Sequence, residues 1–241
     1  FEDIIIFGSG LSAKIMSLVA RNAGLSFKLI TDKNISSVPS DDTRSLALSV
    51  ASKKMLNTLG VNIKTEAVTK MIVIEGGLGD EKIKSRLSFD KELVDEDIAY
   101  IAEHSVIEKS IDRVLKLDEN EIIKEKVTKI QKEGNFSKII LNNNECLSSK
   151  AIIFTEVLDR DLQNIYNVKY NFFEYGQTAI SATLRHSKSH KGYAFQFFQK
   201  NGPLALLPMS NKRGSNYSSL VWTEKTDNIS SLISSKKNLE D

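Results

Sequence analysis

One cysteine, Cys146, is all the thiol chemistry this 241-residue sequence has. An intrachain disulfide is therefore excluded, and so is a metal site made of cysteines alone; the usage suits a reducing compartment. Histidine is almost as scarce, with His104, His186 and His190 only, so no metal site is assigned. An excess of one charge is also missing. Lys and Arg number 33 against 31 Asp and Glu, a net +2, and that balance lacks the basic excess of a nucleic-acid binder. No apolar run is long enough to cross a bilayer: Ile4–Phe7 and Leu204–Pro208 are among the longest. The opening Phe1-Glu2-Asp3 has neither the basic region nor the apolar core of a signal peptide, and no initiator Met, so the chain reads as trimmed there. A cytoplasmic protein of one large or two small domains is expected.

What is present begins with a βαβ unit. Asp3-Ile4-Ile5-Ile6-Phe7 is a continuous apolar run, as in a strand covered on both faces. Gly8-Ser9-Gly10 follows at once, then a helix over Leu11–Asn22 with Leu11, Ile15, Leu18 and Val19 near helical spacing, a stop at Gly24 and a second strand at Phe27–Ile30. Helices are also predicted over Ser52–Leu59, with Met55, Leu56 and Leu59 on one face, and over Ser105–Leu117, with Ile107, Ile111, Val114 and Leu115 as its buried stripe. Lys70–Glu75 reads as a strand, and the charged segment that follows, through Asp97, as solvated. From Ile122 the pattern alternates. Strands are expected around Glu125–Gln131, Lys138–Leu141, Ala151–Phe154, Thr178–Arg185, Tyr193–Phe198, Leu204–Pro208 and Ser218–Trp222, and the tail from Thr226 as a helix or a frayed end. The fold class is α/β: a Rossmann-like nucleotide-binding domain carrying an antiparallel sheet.

Gly8-x-Gly10-x-x-Ala13 lies directly after a strand and opens a helix, the context in which this motif binds a dinucleotide. Gly8 permits the tight turn, Gly10 lets a pyrophosphate approach the backbone, and Ala13 allows close helix–strand packing. The helix N-terminus then faces the phosphates. Asp32, at the end of the second strand and at suitable distance from Gly8, is the candidate for the ribose hydroxyls; a strand-end Asp capping a turn is the alternative. Arg44, in Asp42-x-Arg44-x-x-Ala47-Leu48-Ser49, is a fixed cation able to neutralise a phosphate, or a surface Arg paired with Asp41 or Asp42.

Three stretches in order carry a family resemblance: the Gly8–Gly10 turn, Asp42-Thr43-Arg44-Ser45-Leu46-Ala47-Leu48-Ser49, and Gly202-Pro203-Leu204-Ala205-Leu206-Leu207-Pro208. With Tyr175-Gly176-Gln177, then His190, Ala194 and Phe198, and Val221-Trp222-Thr223, the sequence resembles the ubiquinone-biosynthesis hydroxylases, FAD-dependent monooxygenases of the p-hydroxybenzoate hydroxylase type. The resemblance implies interleaved domains, an FAD-binding domain of residues 1–67 and 93–165 and a substrate-domain sheet of residues 68–92 and 166–241. It implies FAD as cofactor and NAD(P)H and O₂ as co-substrates for hydroxylating the ring of a prenylated phenol or quinol. Gly8, Gly10 and Ala13 would hold the pyrophosphate, Asp32 the ribose with Thr31 beside it, and Arg44 would lie along the flavin side. Gln177, Gln196, Phe198 and Leu207 would line or support the aromatic pocket, or pack as ordinary strand residues. His104 stands where the family often has a flavin-contacting residue; a helix-start surface role is the expectation.

The chain also departs from the family. Glu156-Val157 stands where an Asp-Gly pair is usual, so a side chain replaces a glycine near the cofactor. The chain ends at Asp241, before the part that completes the flavin site, so it reads as a fragment expected to bind FAD weakly or not at all. Two other readings stay open: a non-catalytic relative acting as a partner or scaffold, and another flavin oxidoreductase on the same fold. A greasy substrate implies that any attachment to the inner membrane or to a biosynthetic complex is peripheral.

Overall fold

The computed structural model describes residues 1–31, 42, 44–76, 83–158, 160–212 and 214–229. Their elements are β1 (Glu2–Phe7), α1 (Leu11–Asn22), β2 (Phe27–Ile30), β3 (Ser45–Leu48), α2 (Val50–Thr58), β4 (Glu66–Val68), β5 (Lys70–Glu75), β6 (Ser85–Asp90), α3 (Lys91–Val94), β7 (Ala99–Glu103) and α4 (His104–Leu115). There follow β8 (Ile122–Ile123), β9 (Val127–Glu133), β10 (Phe136–Leu141), β11 (Cys146–Phe154), α5 (Arg160–Tyr166), β12 (Gln177–His186), β13 (Tyr193–Gln199), β14 (Gly202–Lys212) and β15 (Ser215–Lys225). The chain divides into two compact units. One comprises Phe1–Ser40, Asn57–Asn62 and Glu108–Asn171; the other comprises Asp41–Leu56, Ile63–Ile107 and Phe172–Asp241.

The first unit is built on a sheet of order β8-β2-β1-β11-β10-β9. Strands β8, β2, β1 and β11 run parallel, and β10 and β9 continue the sheet as an antiparallel meander. This is the Rossmann-like α/β arrangement expected. Because β1 lies inside the sheet, both its faces are covered, which is why it reads as an unbroken apolar run. Ile5 belongs to a cluster with Ile30, Ile139, Leu141 and Leu162, while Ile6 packs with Ala13 and Ala20 of α1 and with Leu29 of β2. Neither Ile5 nor Ile6 is exposed, and each such side chain contributes about 2–3 kcal/mol by burial.

The second unit holds a sheet of order β12-β15-β14-β13-β5-β6, antiparallel except for the parallel β13–β5 pair, and a small antiparallel sheet β3-β7-β4. A cluster of Val68, Ile101, Ala194 and Met209 lies within this unit.

Several expectations are corrected. The described part of the charged segment before Asp97 is largely exposed, as expected, but it is not a plain loop: it contains β6, paired with β5 from Lys70↔Asp90 to Glu75↔Ser85, and α3. An edge strand needs only its backbone ladder, so exposed polar side chains do not prevent it. The buried face of α1 is Ala13, Lys14, Ser17, Leu18 and Ala20, with Leu11, Ile15 and Val19 only half-buried. The face rotates because Lys14 has carboxylate partners on α4. Val114 and Met55 are exposed, whereas Ile107, Ile111, Leu115 and Leu56 are buried as expected. Residues 226–229 are helical.

Candidate functional site

β1 ends in Phe7, and Gly8 turns the chain with φ +141°, a conformation that favours glycine. A Cβ at Gly8 would stand 2.1 Å from Thr155 Oγ1, so the position is closed to any side chain. Gly8 N–H donates to Ile30 O at 3.0 Å and Thr155 N–H to Phe7 O at 3.0 Å, which ties the carboxyl ends of β2, β1 and β11 together. Gly10 is the N-cap of α1, with φ −84° and ψ −173°, backbone that other residues also adopt. The nearest atom to a Cβ there is Glu156 Oε1, at 3.8 Å. Ala13 is fully buried and packs with Ile6 and Phe27, so its small side chain lets α1 sit close to the sheet.

Glu156, in the segment after β11, closes this turn. Its Oε1 accepts hydrogen bonds from Ser9 N–H at 2.6 Å, Ser9 Oγ at 2.9 Å and Gly10 N–H at 3.1 Å. No acidic residue lies in the first turn of α1 and Gly10 offers no side-chain cap, so Glu156 supplies the negative charge that the helix N-terminus favours. The strand order reverses between β1 and β11, the place where open α/β sheets bind ligands beyond their strand ends. A cleft of about 360 Å³ opens there, lined by Phe7, Gly8, Ile30, Thr31, Val127 and Glu156 among others. The sequence flagged Glu156-Val157 as a departure but not as the group that fills the turn. Asp32 lies outside the described residues; Thr31, just before it, is buried.

Arg44 belongs to the second unit. Its guanidinium donates to both carboxylate oxygens of Asp42, at 2.8 and 2.9 Å, and its backbone N–H donates to Asp42 as well. Asp42 is nearly sealed from solvent and also lies 3.0 Å from His104 Nδ1. Arg44 beside it holds the Asp42 carboxyl well below the usual carboxylate range; burial acts in the opposite direction and is outweighed. His104 starts α4, as expected, but its side chain is only 18% exposed, so it is a member of this cluster rather than a surface residue.

Gln177, Gln196, Phe198 and Leu207 sit on three strands, yet the pairing registers put all four on one face of the six-stranded sheet. Leu207 packs against the Val68–Ile101–Ala194–Met209 cluster. Gln177 Nε2 donates to Asn201 O at 2.7 Å. Phe198 is half exposed and, with Val73 and Leu87 from the same face, lines a cleft of about 870 Å³ that Glu75, Lys84 and Lys200 also border.

None of the protein-family models matches the chain. Curated proteins do. The chain is 23% identical to ubiquinone hydroxylase UbiL of Rhodospirillum rubrum, a match covering 96% of this chain and 54% of that one. It is 27% identical to the mitochondrial ubiquinone biosynthesis monooxygenase COQ6 of Danio rerio, covering 96% and 51%. By sequence, the chain is similar to these ubiquinone-biosynthesis hydroxylases. It spans about half the length of these relatives. Among solved structures it is similar to Klebsiella pneumoniae HpxO complexed with FAD and uric acid, with a TM-score of 0.68 at 10% identity over 91% of this chain and 56% of that one. It is also similar to the p-nitrophenol 4-monooxygenase PnpA of Pseudomonas putida, with a TM-score of 0.70 at 14% identity over 94% and 58%. These structures share its fold.

Proposed function

We propose that this chain carries the dinucleotide turn and the substrate sheet of an FAD-dependent monooxygenase that hydroxylates the aromatic ring of a prenylated phenol or quinol in ubiquinone biosynthesis. The observation that carries the reading is the Gly8–Gly10 turn at the strand-order reversal, where two backbone N–H groups and a hydroxyl converge on one anionic oxygen. The donor set fits the cofactor: Glu156 Oε1 stands where a phosphate oxygen would be held. Gly8, Gly10 and Ala13 would hold the pyrophosphate and Asp32 the ribose.

When bound, FAD would supply the redox chemistry: two electrons from NAD(P)H and one O₂, with one oxygen atom entering the ring and the other leaving as water. The protein's share is binding, orientation and a dry pocket. The face bearing Gln177, Gln196, Phe198 and Leu207 would receive the ring, apolar contacts setting its depth and the amides its orientation. Among the described residues no helix is long and apolar enough to cross a membrane. The exposed Leu87, Phe89 and Leu93 support a peripheral contact with a membrane or a biosynthetic complex.

Titrating the purified chain with FAD, and displacing it with ADP, tests the reading. Bound yellow flavin that ADP displaces supports it; flavin that ADP cannot displace would be held elsewhere than at the turn. A second reading is a non-catalytic relative acting as a pathway partner, favoured by the carboxylate already seated in the turn. Absence of flavin binding by the whole protein would select it.

A further inference from the structure

We propose that Glu156 is an internal competitor for the cofactor's pyrophosphate, so that FAD binds only by displacing the Glu156 carboxylate from the Gly8–Gly10 turn. The inference rests on the reading of that turn as a dinucleotide site.

Ser9 N–H, Gly10 N–H and the Ser9 hydroxyl all converge on Glu156 Oε1, between 2.6 and 3.1 Å. Each backbone N–H carries a single proton, and a phosphate oxygen held by this turn needs the same protons. The two occupants therefore exclude each other. They are also alike in charge, and a carboxylate left beside a bound pyrophosphate would repel it.

The competitor is tethered and well aimed. β11 is in parallel register with β1 from Ile4↔Ala151 to Phe7↔Phe154. The next residue, Thr155, is clamped to Phe7 O by its N–H at 3.0 Å and its Oγ1 at 2.8 Å. Glu156 thus leaves a fixed point within reach of the turn, which gives its carboxylate a high effective concentration there. Its release takes little from the core, because the following residue, Val157, is 63% exposed. If Glu156 served only to cap α1, its removal would cost helix stability and leave ADP affinity no higher, and that difference is measurable.

The test is calorimetric titration of ADP and of FAD into the 241-residue chain, Glu156→Ala and Glu156→Gln, with amide hydrogen exchange at Ser9 and Gly10. Competition requires Glu156→Ala to bind ADP about tenfold or more tightly than the parent. Glu156→Gln should gain less, since its amide oxygen still accepts from the turn without the charge. The Ser9 and Gly10 amides should be protected in the parent, exchange freely in unliganded Glu156→Ala, and regain protection when ADP binds. A parent that binds ADP while Glu156→Ala binds it equally or more weakly overturns the competition and leaves the dinucleotide reading intact. If neither parent nor variants bind ADP or FAD, the dinucleotide reading fails and the competition falls with it.

Discussion

Lys14 on α1 and Glu108 on α4 form an ion pair of 2.8 Å in which the lysine side chain is wholly buried and the carboxylate nearly so. Asp112 adds a second oxygen at 2.8 Å, but its side chain is 42% exposed and so holds less of the interaction. Removing the ammonium takes from the buried Glu108 carboxylate the counter-charge that Lys14 supplies at 2.8 Å. Lys14→Ala should therefore lower stability by about 3 kcal/mol, measured by urea unfolding. Lys14→Met combined with Glu108→Leu should regain most of that loss, because an apolar pair of similar volume carries no desolvation cost. A Lys14→Ala loss below about 1 kcal/mol would mean that water reaches Glu108 in the variant.

The two glycines of the turn should fail in different ways. Gly8→Ala puts a Cβ into Thr155 at a positive φ, so it should destabilise the first unit by at least about 2 kcal/mol. At Gly10 a Cβ would make only ordinary contact, with Glu156 Oε1 at 3.8 Å, so the circular dichroism and urea midpoint of Gly10→Val should stay near those of the parent. Its nucleotide binding should be lost, because the added side chain projects where the pyrophosphate approaches. Gly10→Val that binds ADP like the parent would reduce the turn to a structural role.

The βαβ start was legible because its signals are local: an unbroken apolar run, two glycines and an apolar-spaced helix. The same holds for β13, β14 and β15, whose short aromatic and aliphatic runs lie between polar or glycine-bearing stretches. What escaped depends on distant partners. Lys14 looks like a solvent residue until Glu108 is placed beside it. The polar beginning of β11, Cys146–Lys150, forms a strand because β10 pairs with it. β3, β4 and β7 are short and complete only one another's ladders. α5 buries only Leu162, too little for a helical stripe. The Glu156 contact joins residues 147 apart, through a β1–β11 register that no local pattern encodes.

The Asp42 carboxyl should leave a pH signature. Its folded value is depressed, chiefly by the hydrogen bonds from Arg44. A depressed acid stabilises the folded state above its unfolded value, about 4, and that stability is lost as pH falls through the folded value. Asp42→Asn should therefore be less stable than the parent at pH 7, and the gap in urea midpoint should shrink steadily below about pH 4. A gap independent of pH would assign the effect to packing rather than to charge.

The face bearing the pocket candidates divides into a packed end and an open end, and the two should separate stability from binding. Leu207 packs on the Ala194–Met209 cluster, so Leu207→Ala should cost about 2 kcal/mol. Phe198 is 51% exposed at the open cleft, so Phe198→Ala should change stability by less than about 1 kcal/mol. If the cleft beside Val73 and Leu87 receives the apolar part of a prenylated phenol, Phe198→Ala loses an aromatic contact at no structural cost. Its affinity for that ligand should then fall about tenfold, read by calorimetry at a temperature where both variants are folded. The opposite ranking, with Leu207→Ala weakening the ligand more while Phe198→Ala binds like the parent, would move the pocket from the cleft to the packed end of the sheet.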